Sequence, residues 1–377
     1  MTVPISKLPI SAARLLSLDV IRGLTILCMI LVNSPGNATP YAWLEHSEWN
    51  GCTFADLVFP FFIFILGVSV VFSLAKVRAE KIPVSTLMMK VFRRAVILIL
   101  LGLFLNAFPK HFDFSTLRFF GVLQRIGVCY FFAALIFLTT GVRMQLGLFF
   151  GFLVAYWLLM IAVPVPGFGV GNLSQLGNLA AYLDRLVFSS VHLYGKIFDP
   201  EGFLSTLPAL SSALLGVLTG KWLMTHYSMS KKLVGMIIAG VLAMLLGWLW
   251  GLSFPLNKAL WTSSFVLWTG GFALLVFGFY YWVLEMRQWR RWSLPLEIFG
   301  VNAIAAYFLH IFFIKLQHMV VIPNADGTSG NLRAYITTHA FGWAGVENAS
   351  LLYSVGYVAL WFVVLAVMYR KRVFLKI

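Results

Sequence analysis

Residues 44–64 read LEHSEWNGCTFADLVFPFFIF and join a polar segment to the start of an apolar run. A membrane-spanning helix needs about 20 predominantly apolar residues, and this run stays predominantly apolar to residue 75 apart from Asp56. An ionisable side chain in such a run is costly and usually faces a cavity or a partner. His46 lies in the polar segment just before the run. The stretch therefore predicts a membrane span with titratable groups at its polar end.

The composition of the whole chain is that of a membrane protein. Of the 377 residues, 60% are hydrophobic and only 11% are charged, and the mean hydropathy is +0.89. A water-soluble domain of this length cannot bury so large an apolar fraction. The net charge of +15 is scattered between apolar runs instead of forming one basic face, which argues against nucleic acid as a partner.

Apolar runs long enough to cross a lipid bilayer, about 17–25 residues, recur along the chain. They lie at residues 18–36, 54–75, 91–108, 118–139, 144–164, 203–220, 233–252, 259–283, 295–316 and 351–369. We therefore predict an all-α polytopic membrane protein with about ten transmembrane helices, in a single domain that covers residues 1–377. Residues 1–16 are a short polar leading segment without the pattern of a cleavable signal peptide.

Basic residues are concentrated at alternate ends of these runs. Because cytoplasmic segments of membrane proteins are enriched in lysine and arginine, this pattern places both termini in the cytoplasm. The opposite, outer side then holds most of the acidic residues and two long loops, at about residues 165–202 and 317–350. Long loops in compact domains are usually functional, so we expect both to cover a site on the outer face.

The three cysteines, Cys28, Cys52 and Cys129, lie in or beside apolar runs. Their spacing fits neither a disulfide framework nor a metal site. We therefore expect them to act as small apolar residues, and we expect no bound metal.

Two of the predicted spans carry charged groups. Asp19 and Arg22 are three residues apart in the first run and can pair across one helical turn. Arg22 either pins the end of the helix through this salt bridge or also lines an entrance for an anion. Arg125 lies about seven residues into the fourth run, beside Gln124. That depth is awkward for a side chain that reaches back to water, so we expect a polar cavity there.

The ninth run contains Asn302 and His310, which are eight residues apart and share one helix face. A hydrogen bond between packed helices explains Asn302 as well as a ligand does. His310 lies nearer the outer end and is open to the same two interpretations.

By the predicted topology His46 and Asp56 both lie at the outer membrane surface. A lone histidine in a loop is usually only solvated. An acid that holds one ring nitrogen makes the other nitrogen a better base. Sequence distance does not show that the two side chains meet, but a turn at residues 49–51 would permit it. We interpret the pair as a proton-handling site at the water boundary.

Six stretches of the chain match, in order, the motifs of one known family. They are SLDVIRGLTILCMILVN, HSEWNGCTFADLVFPFFIFILG, GVLQRIGVCYF, DPEGFLSTLPAL, PLNKALWTSSFVLWTGG and FGVNAIAAYFLH. From about residue 14 onward the chain resembles the heparan-alpha-glucosaminide N-acetyltransferase family, including its bacterial homologues of the NagX type. The chain begins without the additional lumenal segment and span of the human lysosomal member, which favours the bacterial members and their inner membrane. The resemblance implies acetyl transfer from cytoplasmic acetyl-CoA to the amine of a glucosamine unit on the periplasmic side.

The resemblance also implies roles for single residues. His46 matches the catalytic histidine of the family, and Asn33 and Asp56 match an asparagine and an aspartate of its active site. A protonated glucosamine amine must lose a proton before it attacks a thioester, and an asparagine can donate to the developing oxyanion. Direct transfer and an acetyl-histidine intermediate both stay open. The expected sugar contacts are Glu45, Trp49, Asn50, Asn302 and His310.

The phosphates of acetyl-CoA require cations at the inner mouth of the helix bundle. The candidates are Arg22, Arg93, Arg94 and Arg125, with Gln124 beside the last; Arg93 and Arg94 also follow the general bias of basic residues toward the cytoplasm. Two other functions remain open, a transporter of amino sugars or oligosaccharides and a polysaccharide O-acyltransferase. The signature of a carrier, discontinuous helices in two related halves, is not visible. The resemblance further implies a homodimer in the lipid bilayer.

Overall fold

The computed structural model describes residues 15–79, 82–323 and 329–375, so the predicted leading segment up to residue 14 lies outside the described residues. The helices in these ranges are α1 (Leu16–Asn33), α2 (Phe54–Ala79), α3 (Val84–Ala107), α4 (Val122–Thr139), α5 (Val142–Ala162), α6 (Leu179–Phe188), α7 (Thr206–Leu223), α8 (Met229–Gly251), α9 (Ser263–Tyr281), α10 (Leu294–Val301), α11 (Ala303–Met319), α12 (Leu332–Phe341) and α13 (Val346–Arg370). Two short strands, β1 (Val321–Pro323) and β2 (Ser329–Asn331), pair antiparallel. The predicted all-α fold is confirmed.

The described helices fit a polytopic membrane protein. Eight of them are long and apolar enough to cross a bilayer, namely α1, α2, α3, α4, α5, α8, α9 and α13, and the bent pair α10 and α11 makes up to nine. The predicted run at residues 203–220 forms α7, which is long enough but less apolar. Every predicted run thus contains a helix, while the count of ten spans stays a prediction.

α7 is less apolar because protein, not lipid, surrounds it. It packs against α2, α4, α5 and α9, and its polar residues Ser211, Ser212 and Thr219 are buried. Each of these hydroxyls has a partner in the bundle; the Ser211 hydroxyl, for example, donates to the carbonyl oxygen of Phe149 over 3.0 Å. A helix at the centre of a bundle can therefore carry polar groups that a lipid-facing helix cannot.

The backbones of α2 and α7 touch through two glycines. A methyl group at Gly67 would lie 1.9 Å from the carbonyl oxygen of Ala213, and one at Gly216 would lie 2.0 Å from the carbonyl oxygen of Phe64. Small residues allow this approach in membrane proteins, and any side chain here would push the two helices apart.

We expect Gly216→Ala to destabilise the fold, because the added methyl group overlaps backbone that cannot move without separating α2 from α7. Overpacking of this kind costs about 1–3 kcal/mol. The matched control is Gly147→Ala in α5, where an added methyl group meets nothing within 4 Å. Alanine favours a helix over glycine by up to about 1 kcal/mol, so the control should unfold at the wild-type temperature or above it. Thermal unfolding in detergent measures both variants, and equal melting temperatures would contradict the prediction.

The predicted ninth span is broken at Asn302. α10 and α11 meet there at an angle of 79°, and Asn302 itself has φ −110° and ψ 34°. Its side-chain amide donates to the carbonyl oxygen of Val373 and accepts from the N–H of Leu375, each over 3.1 Å. The expectation that Asn302 and His310 share the face of one helix was wrong, because Asn302 ends α10 and fastens the C-terminal tail.

Candidate active site

His46 and Asp56 are in direct contact, as the predicted turn at residues 49–51 allows. His46 Nδ1 lies 2.8 Å from Asp56 Oδ1. The histidine side chain is 50% exposed, whereas the aspartate side chain is fully buried. The contact fixes one ring nitrogen against an acid and leaves Nε2 for chemistry.

The buried carboxylate of Asp56 is saturated with donors. Its second oxygen, Oδ2, accepts from the backbone N–H of Ser47 over 3.1 Å and from the N–H and hydroxyl of Thr53 over 3.0 and 3.1 Å. A buried charge is tolerated only when it is paired and hydrogen-bonded. Because these donors come from the loop before α2, Asp56 gives that loop one fixed shape around His46.

A second loop, between α8 and α9, is joined to this one. The N–H of Gly51 donates to the carbonyl oxygen of Leu256 over 2.7 Å, and Asn257 Nδ2 donates to Asn50 Oδ1 over 3.2 Å. Gly51 has φ +124°, a conformation that favours glycine. The two loops therefore form one unit at the end of the bundle where α2 begins.

This second loop brings Lys258 to the pair, a residue that the sequence reasoning missed. Lys258 Nζ lies 3.0 Å from both ring nitrogens of His46 and 3.6 Å from Asp56 Oδ1. One signal was available, because Lys258 lies on the predicted outer side, where lysine and arginine are depleted. A basic residue against that bias, at the end of an apolar run, could have been singled out.

The three side chains line a cavity of about 500 Å³, which we call the outer cavity. Asn33, at the end of α1, lines it too, together with Trp49. The Trp49 ring contacts Phe198 edge to face, and its Nε1 donates to the carbonyl oxygen of Leu173 over 2.9 Å. The first long loop, at residues 165–202, therefore covers the site as predicted.

The second long loop does not cover this cavity. Its described residues form the β1–β2 pair and α12, and α12 packs against α11 and α13. None of the residues that line the outer cavity comes from residues 317–350 within the described ranges. The expectation that both long loops cover the site was wrong for this one.

An ionic cluster forms another part of the outer wall. Arg118 donates to Asp199 Oδ2 through Nε over 2.7 Å and to Glu201 Oε2 through a terminal nitrogen over 2.5 Å. Although burial opposes ionisation, the positive charges of Arg118 and Arg125 lower the pKa of Glu201. Since Glu201 lines the cavity, the wall presents a carboxylate there.

Arg125 and Gln124 lie at the same end of the bundle as His46, which the predicted topology places outside, so their expected place at the inner mouth was wrong. Gln124 lines the outer cavity with His46. Arg125 donates to the carbonyl oxygen of Gly202 over 3.1 Å and to the Ser205 hydroxyl over 2.5 Å. The physical reason is the direction of α4, which begins at the outer end. Arg125 is thus one turn into the helix from the side of the ionic cluster, and it holds the segment that follows Glu201.

A second cavity of about 580 Å³, the inner cavity, lies at the other end of the same helices. Arg22 lines it, bonded to Asp19 over 3.0 Å and to Ser69 over 2.9 Å. The predicted salt bridge is thus confirmed, while the entrance for an anion stays a prediction. Arg94 lines the inner cavity too, stacked over the ring of Tyr130. The buried Nε of Arg94 has no hydrogen-bond partner among the described residues. Arg93 is exposed and is not among the residues that line this cavity.

The two cavities share α1, α2, α3, α4 and α11 as walls. On α4, Gln124 lines the outer cavity and Ile126 the inner one; on α11, Tyr307 and Ile304 do the same. At 1.5 Å of rise per residue these pairs are separated by about 3 and 4.5 Å along the helix. The cavities therefore follow one another through the bundle and come within about one helical turn of each other along α4 and α11.

Four predicted sugar contacts do not line the outer cavity in the described structure. Glu45 is exposed, and Asn50 joins the two loops. Asn302 lies at the inner end, and His310 is buried on α11 with its Nδ1 bonded to the carbonyl oxygen of Ala306. Only Trp49 of the predicted sugar contacts faces the cavity.

Comparisons with known proteins agree with this architecture. The family model described as heparan-alpha-glucosaminide N-acetyltransferase, catalytic, matches residues 14–250. The heparan-alpha-glucosaminide N-acetyltransferase of Mus musculus is 28% identical over 431 aligned positions, which cover 97% of this chain and 61% of that protein. The Homo sapiens protein of the same name is 28% identical over 423 positions, with 97% and 60% covered. The chain thus spans about 60% of the length of these curated relatives.

Proposed function

The chain belongs to the heparan-alpha-glucosaminide N-acetyltransferase family, and we propose that it is a transmembrane N-acetyltransferase. In this proposal the inner cavity takes acetyl-CoA from the cytoplasm, and the outer cavity takes a glucosamine-containing sugar from the periplasm. The observation that carries it is the pair of cavities with shared walls, the outer one holding the His46–Asp56 pair. The proposal includes the bacterial inner membrane as location and a homodimer as assembly.

The inner cavity fits the donor. The phosphates of acetyl-CoA are anions, and guanidinium groups bind phosphate with several donors at once. Arg22 and Arg94 face this cavity, and the Arg94 Nε is a buried donor that no described group satisfies. Apolar residues such as Leu98 and Ile126 line the path from there toward the outer cavity, which suits the less polar arm that carries a thioester.

The outer cavity fits the acceptor. The amine of glucosamine is cationic until it loses a proton, and Glu48 and Glu201 line this cavity. The Trp49 ring, held by Phe198 and the carbonyl oxygen of Leu173, supplies a flat apolar face for a sugar ring. Together these groups attract an ammonium group and orient the sugar that carries it.

His46 is the general base of the proposed reaction. The ammonium form of the sugar first loses one proton to water. Asp56 holds Nδ1, so Nε2 receives the second proton, which the neutral amine loses as it attacks the thioester. The thiolate of CoA recovers a proton from the same nitrogen when the C–S bond breaks. The alternative, in which Nε2 first takes the acetyl group, uses the same nitrogen. Detection of an acetylated peptide that contains His46, after reaction without a sugar, would identify the acetyl-histidine intermediate.

The test of the proposal is acetyl transfer by the purified protein in proteoliposomes. Acetyl-CoA supplied on the side of Arg22 and Arg94 should give free CoA on that side and N-acetylglucosamine on the other. We expect His46→Ala to lower turnover by about 10²–10⁴-fold, the usual contribution of a positioned base. The half-exposed side chain contributes little burial, so folding should be preserved. The control is His226→Ala, an exposed histidine outside the spans.

Sugar uptake without CoA release would show that the protein is a carrier and not an enzyme. Acetyl transfer to hydroxyl groups alone would indicate an O-acyltransferase. If His46→Ala turned over within a few-fold of His226→Ala, His46 would have no part in the mechanism.

We expect the two arginines to affect different substrates. Arg125→Met removes the bonds to Gly202 and Ser205 that hold the Glu201 segment, so the KM for the amino sugar should rise by about tenfold or more, since bonds from a charged group contribute about 1.5–3 kcal/mol. Arg94→Met should instead raise the KM for acetyl-CoA. Steady-state kinetics of both variants with each substrate varied in turn is the measurement. If Arg125→Met raised the KM for acetyl-CoA more than that for the amino sugar, Arg125 would belong to the acetyl-CoA site instead.

A further inference from the structure

Lys258 is closer to the histidine than to the aspartate beside it. Its Nζ lies 3.0 Å from each ring nitrogen of His46 but 3.6 Å from Asp56 Oδ1. Asp56 Oδ1 already contacts His46, and Oδ2 already accepts three bonds. The carboxylate therefore does not need Lys258 to satisfy its hydrogen bonds, and the lysine points at the base.

The position of Lys258 is built by its loop. Asn257 Oδ1 accepts from the N–H of Leu260 over 2.8 Å, and its own N–H donates to the Thr262 hydroxyl over 3.1 Å. That hydroxyl donates to the carbonyl oxygen of Pro255 over 2.8 Å. The lysine side chain is only 17% exposed. A residue whose loop is held by hydrogen bonds of this kind has a fixed site, unlike a solvated surface lysine.

A cation at this place opposes the binding of a cationic amino sugar. Such a cation is useful if the ammonium group of Lys258 meets negative charge during the reaction. In acyl transfer that charge develops on the carbonyl oxygen. An acyl carbon attacked by an amine that is bonded to Nε2 lies about 3 Å from the amine nitrogen. The carbonyl oxygen of that acyl group is one bond further from the amine. It is within reach of Lys258 Nζ, which lies 3.0 Å from Nε2.

We propose that Lys258 is a catalytic residue whose ammonium group stabilises the oxyanion of the acetyl transfer, an inference that rests on the proposed function. The lone pair of the amine forms the N–C bond, the π electrons of the thioester carbonyl move to its oxygen, and Nε2 takes the amine proton. When the carbonyl re-forms, the C–S bond breaks and CoA leaves as a thiolate that takes the proton from Nε2. Lys258 keeps its own proton throughout, and Asn33 is the second donor on the cavity wall.

The charge of Lys258 should appear in the pH dependence of the rate. Burial lowers the pKa of Lys258, while the charges of Asp56 and Glu201 oppose that shift. The other titratable groups that face it are His46 and Cys52 on the loop before α2. Because only the protonated lysine stabilises an oxyanion, the rate should fall as pH rises through its pKa. An arginine keeps its charge at any accessible pH, so Lys258→Arg should move this fall to higher pH.

The experiment compares Lys258→Met, Lys258→Arg and Lys258→Ala with the wild type in the acetyl-transfer assay. Lys258→Met should lower kcat by about 10²–10³-fold, the usual loss of one oxyanion donor, with both KM values within a few-fold. Ethylammonium ions should restore part of the rate to Lys258→Ala, measured as acetylated sugar so that acetylation of the added amine is not counted. The control is Lys110→Met, a lysine on the same face that bonds the carbonyl oxygen of Thr116 and does not line the outer cavity.

A wild-type protein without acetyl transfer would overturn the proposed function and this inference together. An active wild type with Lys258→Met turning over within about threefold of Lys110→Met would overturn only the inference, since loss of an oxyanion donor costs far more. A different outcome is a slow Lys258→Met variant with both KM values raised, while Lys258→Arg and ethylammonium added to Lys258→Ala restore no activity. That outcome would assign Lys258 a structural role and also reject the proposal.

Discussion

The buried carboxylate of Asp56 is the constraint around which the outer end of the molecule is arranged. A charge taken out of water must be matched by donors at close range, because its desolvation is otherwise too costly. Here the hydrogen-bond donors come from one loop and a nearby positive charge comes from the other. The loop before α2 provides His46, Ser47 and Thr53, and the loop before α9 provides the cation Lys258. One acid at the first turn of a membrane helix therefore determines where a base and a cation lie relative to one another.

The bundle below this site combines close helix packing with two cavities. α2 and α7 are sealed together by backbone contact at Gly67 and Gly216, whereas α1, α3, α4 and α11 stand far enough from α2 to leave a cavity at each end. The two cavities come nearest to each other along α4, where Leu123 lines the outer cavity and Ile126 lines the inner one.

Hydropathy was sufficient to locate the long apolar helices, because each lipid-facing helix must be apolar along most of its length. The contact of His46 with Asp56 followed from a turn at residues 49–51, a local feature. The features that could not be predicted depend on contacts between residues far apart in the chain. Asn302 ends a helix because its amide bonds a tail more than 70 residues later, and Lys258 reaches His46 from 212 residues away. Arg125 was assigned to the wrong end because its role was judged by charge alone, although the predicted direction of α4 already placed it on the outer side.

The basic residues of the predicted outer face are a sequence feature from which more of the site could be predicted. The bias of basic residues toward the cytoplasm is a rule of membrane insertion and carries no information about chemistry. A basic residue on the other side has to be explained by its own surroundings. Arg118 is matched by Asp199 and Glu201, so its charge is neutralised within the wall. Lys258 shares Asp56 with His46 and lies closer to the histidine than to the acid, so its charge remains directed at the reacting nitrogen. A departure from the rule does not by itself mark a site residue, since Lys110 on the same face lies outside the cavity. The partners of each such residue separate a structural ion pair from a group available to a substrate.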